Sequence, residues 1–180
     1  MTTSEQTVIA PGSWTLDTAH SSVNFTARHL GISKVRGRFN KFETSFVADD
    51  AGKAVIEATI YLDSFDTGNE QRDGHVRSAD ILDTANLSTL HFKVTEPVAV
   101  AAEFEVTGEV TLGNVTKPVT LDVEWGGVQV HPGDQKQHAG FNATGTIKRS
   151  EFNIAAGLPT AMLGDKIAIE LDIQLVEPSA

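Results

Sequence analysis

Arg72, Asp73 and His75 stand together in the most polar stretch of the chain, Asp63-Ser-Phe-Asp-Thr-Gly-Asn-Glu-Gln-Arg-Asp-Gly-His-Val-Arg-Ser-Ala-Asp80. A guanidinium and an imidazole can both donate hydrogen bonds to an anionic or carbonyl oxygen. Lys117 and Arg149 can add positive charge from strand ends. The alternative use is internal, with Arg72 and Arg77 pairing to Asp66, Asp73, Asp80 or Asp83. His20, His75 and Asp73 are the groups that acid-base catalysis on a lipid-like substrate would draw on. Asp17, His20, Ser21 and Ser22 form a second polar group, which a turn with Asp17 capping backbone amides explains equally well.

Other chemistry is excluded by what is missing. The chain carries no nucleophile elbow, zinc-protease helix, phosphate-binding glycine loop or dinucleotide fingerprint. Zero cysteines remove disulfides, thiolate metal sites and a cysteine nucleophile. The six histidines, at 20, 29, 75, 91, 131 and 138, show no tight ligand spacing, and His131 and His138 flank a Pro-Gly-Asp loop expected to be solvated. No metal, cofactor or catalytic residue is therefore expected. A net charge of -10, with 24 acidic against 14 basic residues, argues against a nucleic-acid partner. The first residues lack a basic n-region and an apolar run, and no stretch reaches the roughly 20 apolar residues of a spanning helix. The expectation is a cytoplasmic protein without a membrane span.

The polar stretch must be held by its surroundings. Thr67 and Glu70 have the spacing of a capping box, Asp73 to Arg77 is a favourable i,i+4 pair, and a short helix is expected from Gly68 to Ala79. Gly74 costs such a helix about 1 kcal/mol relative to Ala, so Val76, Ile81 and Leu82 are expected to dock it onto apolar strands.

Nearly everything else alternates with period two. Val23, Phe25 and Ala27 share one face, as do Val35, Gly37 and Phe39, then Phe42, Thr44 and Phe46, and then Ile56, Ala58, Ile60 and Leu62. After the polar stretch come Leu90, Phe92 and Val94, a long pair of runs turning at Gly113-Asn114, the run Phe141 to Arg149, and a last one from Ile167 to Leu175. Gly126-Gly127 and His131-Pro132-Gly133-Asp134 read as punctuation before the Phe141 run. Eight to ten such strands joined by short turns imply an antiparallel meander, and closure into a barrel removes both free edges. An eight-strand barrel either fills itself or holds one small ligand. Ala27, Gly37, Gly108, Ala139, Ala143 and Gly145 are small residues on apolar faces. Pointing inward together they leave a void; as bulges and corners they do not. Phe25, Phe39, Phe92, Phe104 and Phe141 are the candidates for the wall of a cavity, with ordinary core packing as the alternative for each.

Several motifs recur in a familiar order: Trp14-Thr-Leu-Asp17, His20-Ser-Ser-Val-Asn-Phe25, Val35-Arg-Gly-Arg-Phe39, Arg72-Asp-x-His75, His91-Phe92, Gly113-Asn-Val-Thr-Lys-Pro118 and Ile147-Lys-Arg-Ser-Glu-Phe152. Over residues 13 to 176 this combination resembles the YceI-like family. The resemblance implies an all-β fold, a single antiparallel lipocalin-like β-barrel of about eight strands with one short helical cover. It also implies an apolar tunnel that binds a polyisoprenoid or isoprenoid quinone as carrier, store or sequestering protein. Residues 1 to 12 are then a flexible segment and 177 to 180 a tail, and a homodimer is an open possibility. Two departures from the family pattern are Leu87-Ser88-Thr89 before the post-insert strand and Asn153 at a position where glycine is usual. Asn is the residue that best replaces glycine in a left-handed turn.

Overall fold

The alternation is realised as strands in the computed structural model, which describes residues 9–178. They are β1 (Gly12–Leu16), β2 (Ser22–His29), β3 (Ser33–Phe39), β4 (Phe42–Ala48), β5 (Lys53–Tyr61), β6 (Phe65–Asp66), β7 (Thr89–Val94), β8 (Val98–Ala99), β9 (Glu103–Leu112), β10 (Val115–Val130), β11 (Gln137–Lys148) and β12 (Lys166–Val176). One α-helix, α1 (Glu70–Val76), lies between β6 and β7. Eight strands close an antiparallel circuit in the order β1-β4-β5-β7-β9-β10-β11-β12, and β12 returns to β1 through Thr15↔Val176 and Leu16↔Leu175. Closure leaves this part of the sheet without a free edge.

Three kinks divide the barrel into two levels. β1 runs into β2 through Asp17–Ser21, β3 into β4 through Asn40-Lys41, and β5 into β6 through a 3₁₀ turn at Leu62–Ser64. The kinks are laced to their neighbours: the Asp17 amide donates to Gln174 O at 2.9 Å, Asn40 to Ser64 O at 3.1 Å and Tyr61 to Lys41 O at 3.0 Å. Beyond them the sheet continues as β12-β2-β3-β6, and the free edge of β6 is met by α1. At the other end Ile9, Trp14, Phe46, Ala48, Ala54, Ala139 and Leu175 form a buried plug. Trp14 completes it by donating its indole N–H to Ala10 O at 2.8 Å.

Local chemistry explains the turns. Gly113-Asn114 makes the expected two-residue hairpin, with Leu112 opposite Val115 and Gly113 at φ +61°. The Asp49 carboxylate accepts from the amides of Ala51 and Lys53, each at 2.9 Å, and shapes the β4–β5 turn. Asn153 takes the left-handed conformation its position demands, at φ +58° and ψ +26°.

Four expectations change. The helix is shorter than Gly68 to Ala79, and its cap is Asn69, whose side chain accepts from the Arg72 amide at 2.9 Å, because Thr67 is engaged elsewhere. Gly126-Gly127 does not end a strand; β10 runs on to Val130 with a bulge between Trp125 and Gly127. The order of the N-terminus begins before residue 13, since Ile9 is 1% exposed in the plug and Gly12 opens β1. Residues 1–8 of the expected flexible segment, and 179–180 of the tail, lie outside the described residues.

The fourth concerns the small residues. Ala27 and Ala143 do line open space, whereas Ala139 is packed in the plug. The three glycines are slots for neighbouring side chains. A Cβ on Gly37 would collide with the Phe25 ring, and one on Gly145 would lie 2.6 Å from Leu121 Cδ2. A Cβ on Gly108 would enter the Phe92 ring and approach Lys93 O to 2.7 Å. Lys93 O is backbone and cannot swing away. Gly108→Ala is therefore expected to destabilise the fold by about 1–3 kcal/mol in urea unfolding. An unchanged midpoint would contradict this packing.

Candidate ligand-binding cavity

Inside the barrel, above the plug, lies a cavity of about 490 Å³. Inward residues of nearly every long strand build its wall, including Phe46, Ile56, Phe92, Val110, Leu121 and Leu171. On β12, Ile167, Ile169, Leu171 and Ile173 all point inward and yet stay only half-buried, while Leu175, one step further into the plug, is 1% exposed. The half-buried positions face empty space where packed neighbours would otherwise stand. All five phenylalanines singled out from the sequence, Phe25, Phe39, Phe92, Phe104 and Phe141, lie on this wall. Phe25, Phe39 and Phe65 form one aromatic group, with ring centroids 5.1 to 5.7 Å apart.

The wall is closed by segments without strand periodicity. Val76, Ile81 and Leu82 come from α1 and the chain after it, and Ile154, Leu158, Met162 and Leu163 from the connection between β11 and β12. The second group carries no alternation, so sequence reasoning missed it. The only recognisable signal in that connection was Asn153.

Both segments are fixed by charged groups spent on backbone. Asp73, 5% exposed, accepts from the Thr67 amide at 3.0 and 3.1 Å and from the Thr67 hydroxyl. Thr67 in turn holds Arg72, whose Nε donates to Thr67 Oγ1 at 2.8 Å and whose Nη2 donates to Thr67 O at 3.0 Å. Arg77 donates to Asp63 O at 3.0 Å and to Phe65 O at 2.6 Å, so the expected Asp73–Arg77 pair gives way to bonds that pin α1 to β6. Asp66 accepts from Asn40 Nδ2 at 3.0 Å and from the Gly68 amide at 2.8 Å, and these bonds hold its carboxyl below the usual carboxylate value.

Arg149 is the most buried charge, 3% exposed. Its guanidinium donates to the carbonyls of Ile154, Ala155, Leu158, Leu163 and Gly164, at 2.8 to 3.3 Å. All of its hydrogen-bonding capacity is used in shaping the β11–β12 connection. The expectation that Arg149 offers donors to a ligand head group is corrected accordingly. Lys117 is also misplaced by sequence reasoning: it is exposed on β10 and off the cavity wall. Arg72 and His75 are exposed residues that border the cavity from α1.

Among the described residues the wall's ionisable groups are His29, Arg72, His75 and Arg149, with no carboxylate, in a chain whose net charge is -10. The acid-base set does not converge there. His20 bonds Asp17 at 2.9 Å in the β1–β2 kink, off the wall, and Asp17 caps the Ala19 amide at 3.0 Å as the turn reading requires. His131 and His138 do come together, with rings stacked 4.9 Å apart, and His138 is mostly buried instead of solvated. The donor atoms of His131, Asp134 and His138 lie within 4.8 Å of one another. They are already partnered: Asp134 accepts from the Lys136 amide and bonds His138 Nε2, and His131 Nδ1 accepts from the Gly133 amide. That cluster is the hydrogen-bonded end of the β10–β11 hairpin.

The model of the YceI-like domain matches residues 14–175. The chain belongs to the YceI-like family. Protein YceI of Escherichia coli O157:H7 is 40% identical over 144 residues, which cover 79% of this chain and 75% of that protein. The crystal structure of the Campylobacter jejuni YCEI protein has a TM-score of 0.75 at 29% identity, covering 84% of this chain and 90% of that one. A polyisoprenoid binding domain from Saccharophagus degradans, implicated in plant cell wall breakdown, has a TM-score of 0.69 at 19% identity, covering 94% and 100%. The last likeness shows the shared fold.

Two measurements test how this YceI-like barrel holds its mouth. Arg149→Met strips five carbonyls of their donor and should cost at least about 3 kcal/mol in chemical denaturation; a loss below about 1 kcal/mol would contradict the anchoring role. The folded Asp66 carboxyl titrates below its unfolded value, so its stabilisation is present above the ordinary carboxylate range and lost as pH falls through the folded value. Asp66→Asn should be less stable than wild type at pH 7 and should converge with it in acid. A stability gap independent of pH would contradict this assignment.

Proposed function

We propose that the protein binds a long-chain polyisoprenoid or isoprenoid quinone in the barrel cavity and acts as its carrier, store or sequestering protein, without catalysis. The observation that carries this reading is an interior space of about 490 Å³ whose wall is made almost wholly of aliphatic and phenylalanine side chains. The volume lies in the range of roughly 300–1,000 Å³ common for small-molecule sites. A polyisoprenoid binding domain of the same fold supports the choice of ligand class.

Energetics favour a chain-like apolar guest. Burying roughly 500 Å² of hydrocarbon at about 25 cal/mol per Å² gives a gross gain near 12 kcal/mol, from which immobilising a flexible chain subtracts a large part. At the mouth, Arg72 and His75 would donate to a pyrophosphate or a quinone carbonyl, while the spent Arg149 would contribute only charge. The absence of carboxylates from the wall favours an electron-rich head group.

Ala58 faces the cavity from the middle of β5, where a large side chain would occupy the guest's space. Delipidated wild-type protein, incubated with a polyprenol or a ubiquinone and re-isolated by size exclusion, should retain an equimolar amount. Ala58→Trp should retain little while keeping its β-sheet circular dichroism. Failure of the wild type to retain any prenyl lipid would remove the proposal.

A further inference from the structure

The β2–β3 hairpin ends in an apolar tip that nothing among the described residues covers. Ile32 is 83% exposed and Leu30 50%, and Met162, 45% exposed, joins them because the Leu30 amide donates to Met162 O at 2.9 Å. Leu30 sits at φ +54°, a left-handed conformation that disfavours an aliphatic residue, next to Gly31 at φ +67°. The tip also borders the cavity. His29 bridges to Leu163, and His29, Met162 and Leu163 all belong to the cavity wall.

Directly behind the tip the charge reverses. From Thr18 to Phe42 there is no Asp or Glu, whereas five of the chain's 14 basic residues fall there: Arg28, Lys34, Arg36, Arg38 and Lys41. Antiparallel register puts Arg28 opposite Lys34 and Thr26 opposite Arg36 on the outer face. Like charges directly opposite one another are unfavourable in a sheet. Arg28, Lys34 and Arg36 are exposed and enter no ion pair among the described residues. Asp66 stands opposite Arg38, so the uncompensated charge lies toward the tip.

We propose that this hairpin, with Met162 beside it, is a docking surface for an anionic lipid bilayer, and that the cavity loads or releases its guest there. Only the second half rests on the carrier reading. Apolar side chains that insert at the headgroup boundary, backed by Lys and Arg that meet anionic lipid, are the two elements of reversible surface binding. The partner's charge is chosen by the unpaired cations in an otherwise acidic molecule. Its apolar depth is chosen by Leu30 and Ile32, and the place by the adjoining cavity mouth.

Vesicle flotation tests it, using phosphatidylcholine alone and phosphatidylcholine mixed with phosphatidylglycerol. Wild type should float with the mixed vesicles about tenfold more than with the neutral ones, and added salt should release it. The double variant Leu30→Ser, Ile32→Ser should lose flotation, as should Lys34→Glu with Arg36→Glu. The charge variant places a carboxylate opposite Arg28, which relieves repulsion there, and its circular dichroism should match wild type, so that lost flotation reads the surface charge. Both variants should keep the wild-type uptake of prenyl lipid from detergent. Wild type that stays behind with mixed vesicles, or floats equally with neutral ones, would overturn the proposal. So would tip variants that float normally. Flotation by a protein that takes up no prenyl lipid would leave the docking surface standing and remove only the guest exchange.

Discussion

A hydrogen-bonded circuit of eight strands holds the inner faces of this protein apart, and the rest of the structure depends on where that circuit is complete. Near the β1–β12 seam it is complete, and Trp14, Phe46 and Leu175 meet across the axis as an ordinary core. Beyond the three kinks it is not. There β6 ends the hydrogen-bonded path, and the remaining circumference is supplied by α1 and the β11–β12 connection. The cavity runs from the closed circuit, whose inward strand residues build most of its wall, up to these non-strand segments, which cap it.

Such a wall is stable only if its irregular parts are anchored. Arg149, Arg77 and Asp73 do this by exchanging water for backbone partners, and buried polar groups satisfied in this way fix a unique geometry. The arrangement has an electrostatic consequence. The buried guanidinium of Arg149 bonds carbonyls and no carboxylate, and the Asp165 carboxyl that feels its charge is held off the cavity wall by the Ser150 amide. One side chain thus both anchors the β11–β12 connection and sets the polarity of the wall there.

Legibility in the sequence follows periodicity. Strands such as β9 and β10 were evident because Phe104 to Leu112 and Val119 to Trp125 alternate cleanly, and the Gly113-Asn114 turn fixes their register. The five phenylalanines share the inward faces of their strands because a period of two determines the face. What it does not determine is whether an inward glycine is void or slot: Gly37, Gly108 and Gly145 are filled by rings or chains from neighbouring strands, a matter of register and rotamer. Arg149 and Lys117 were both read as cations at strand ends. Their fates diverge because the chain after Arg149 folds back over its guanidinium, and no local signal announces that. The same holds for His131 and His138, which a hairpin brings into contact.

The proposed role requires an interior that is hollow and takes up hydrocarbon. Native mass spectrometry of freshly purified protein addresses it most directly, because it weighs chain and cargo together. The expected spectrum contains a population heavier than the bare chain by an apolar molecule that leaves on collisional activation. A single species at the mass of the bare chain, both before and after incubation with prenyl lipid, would contradict it.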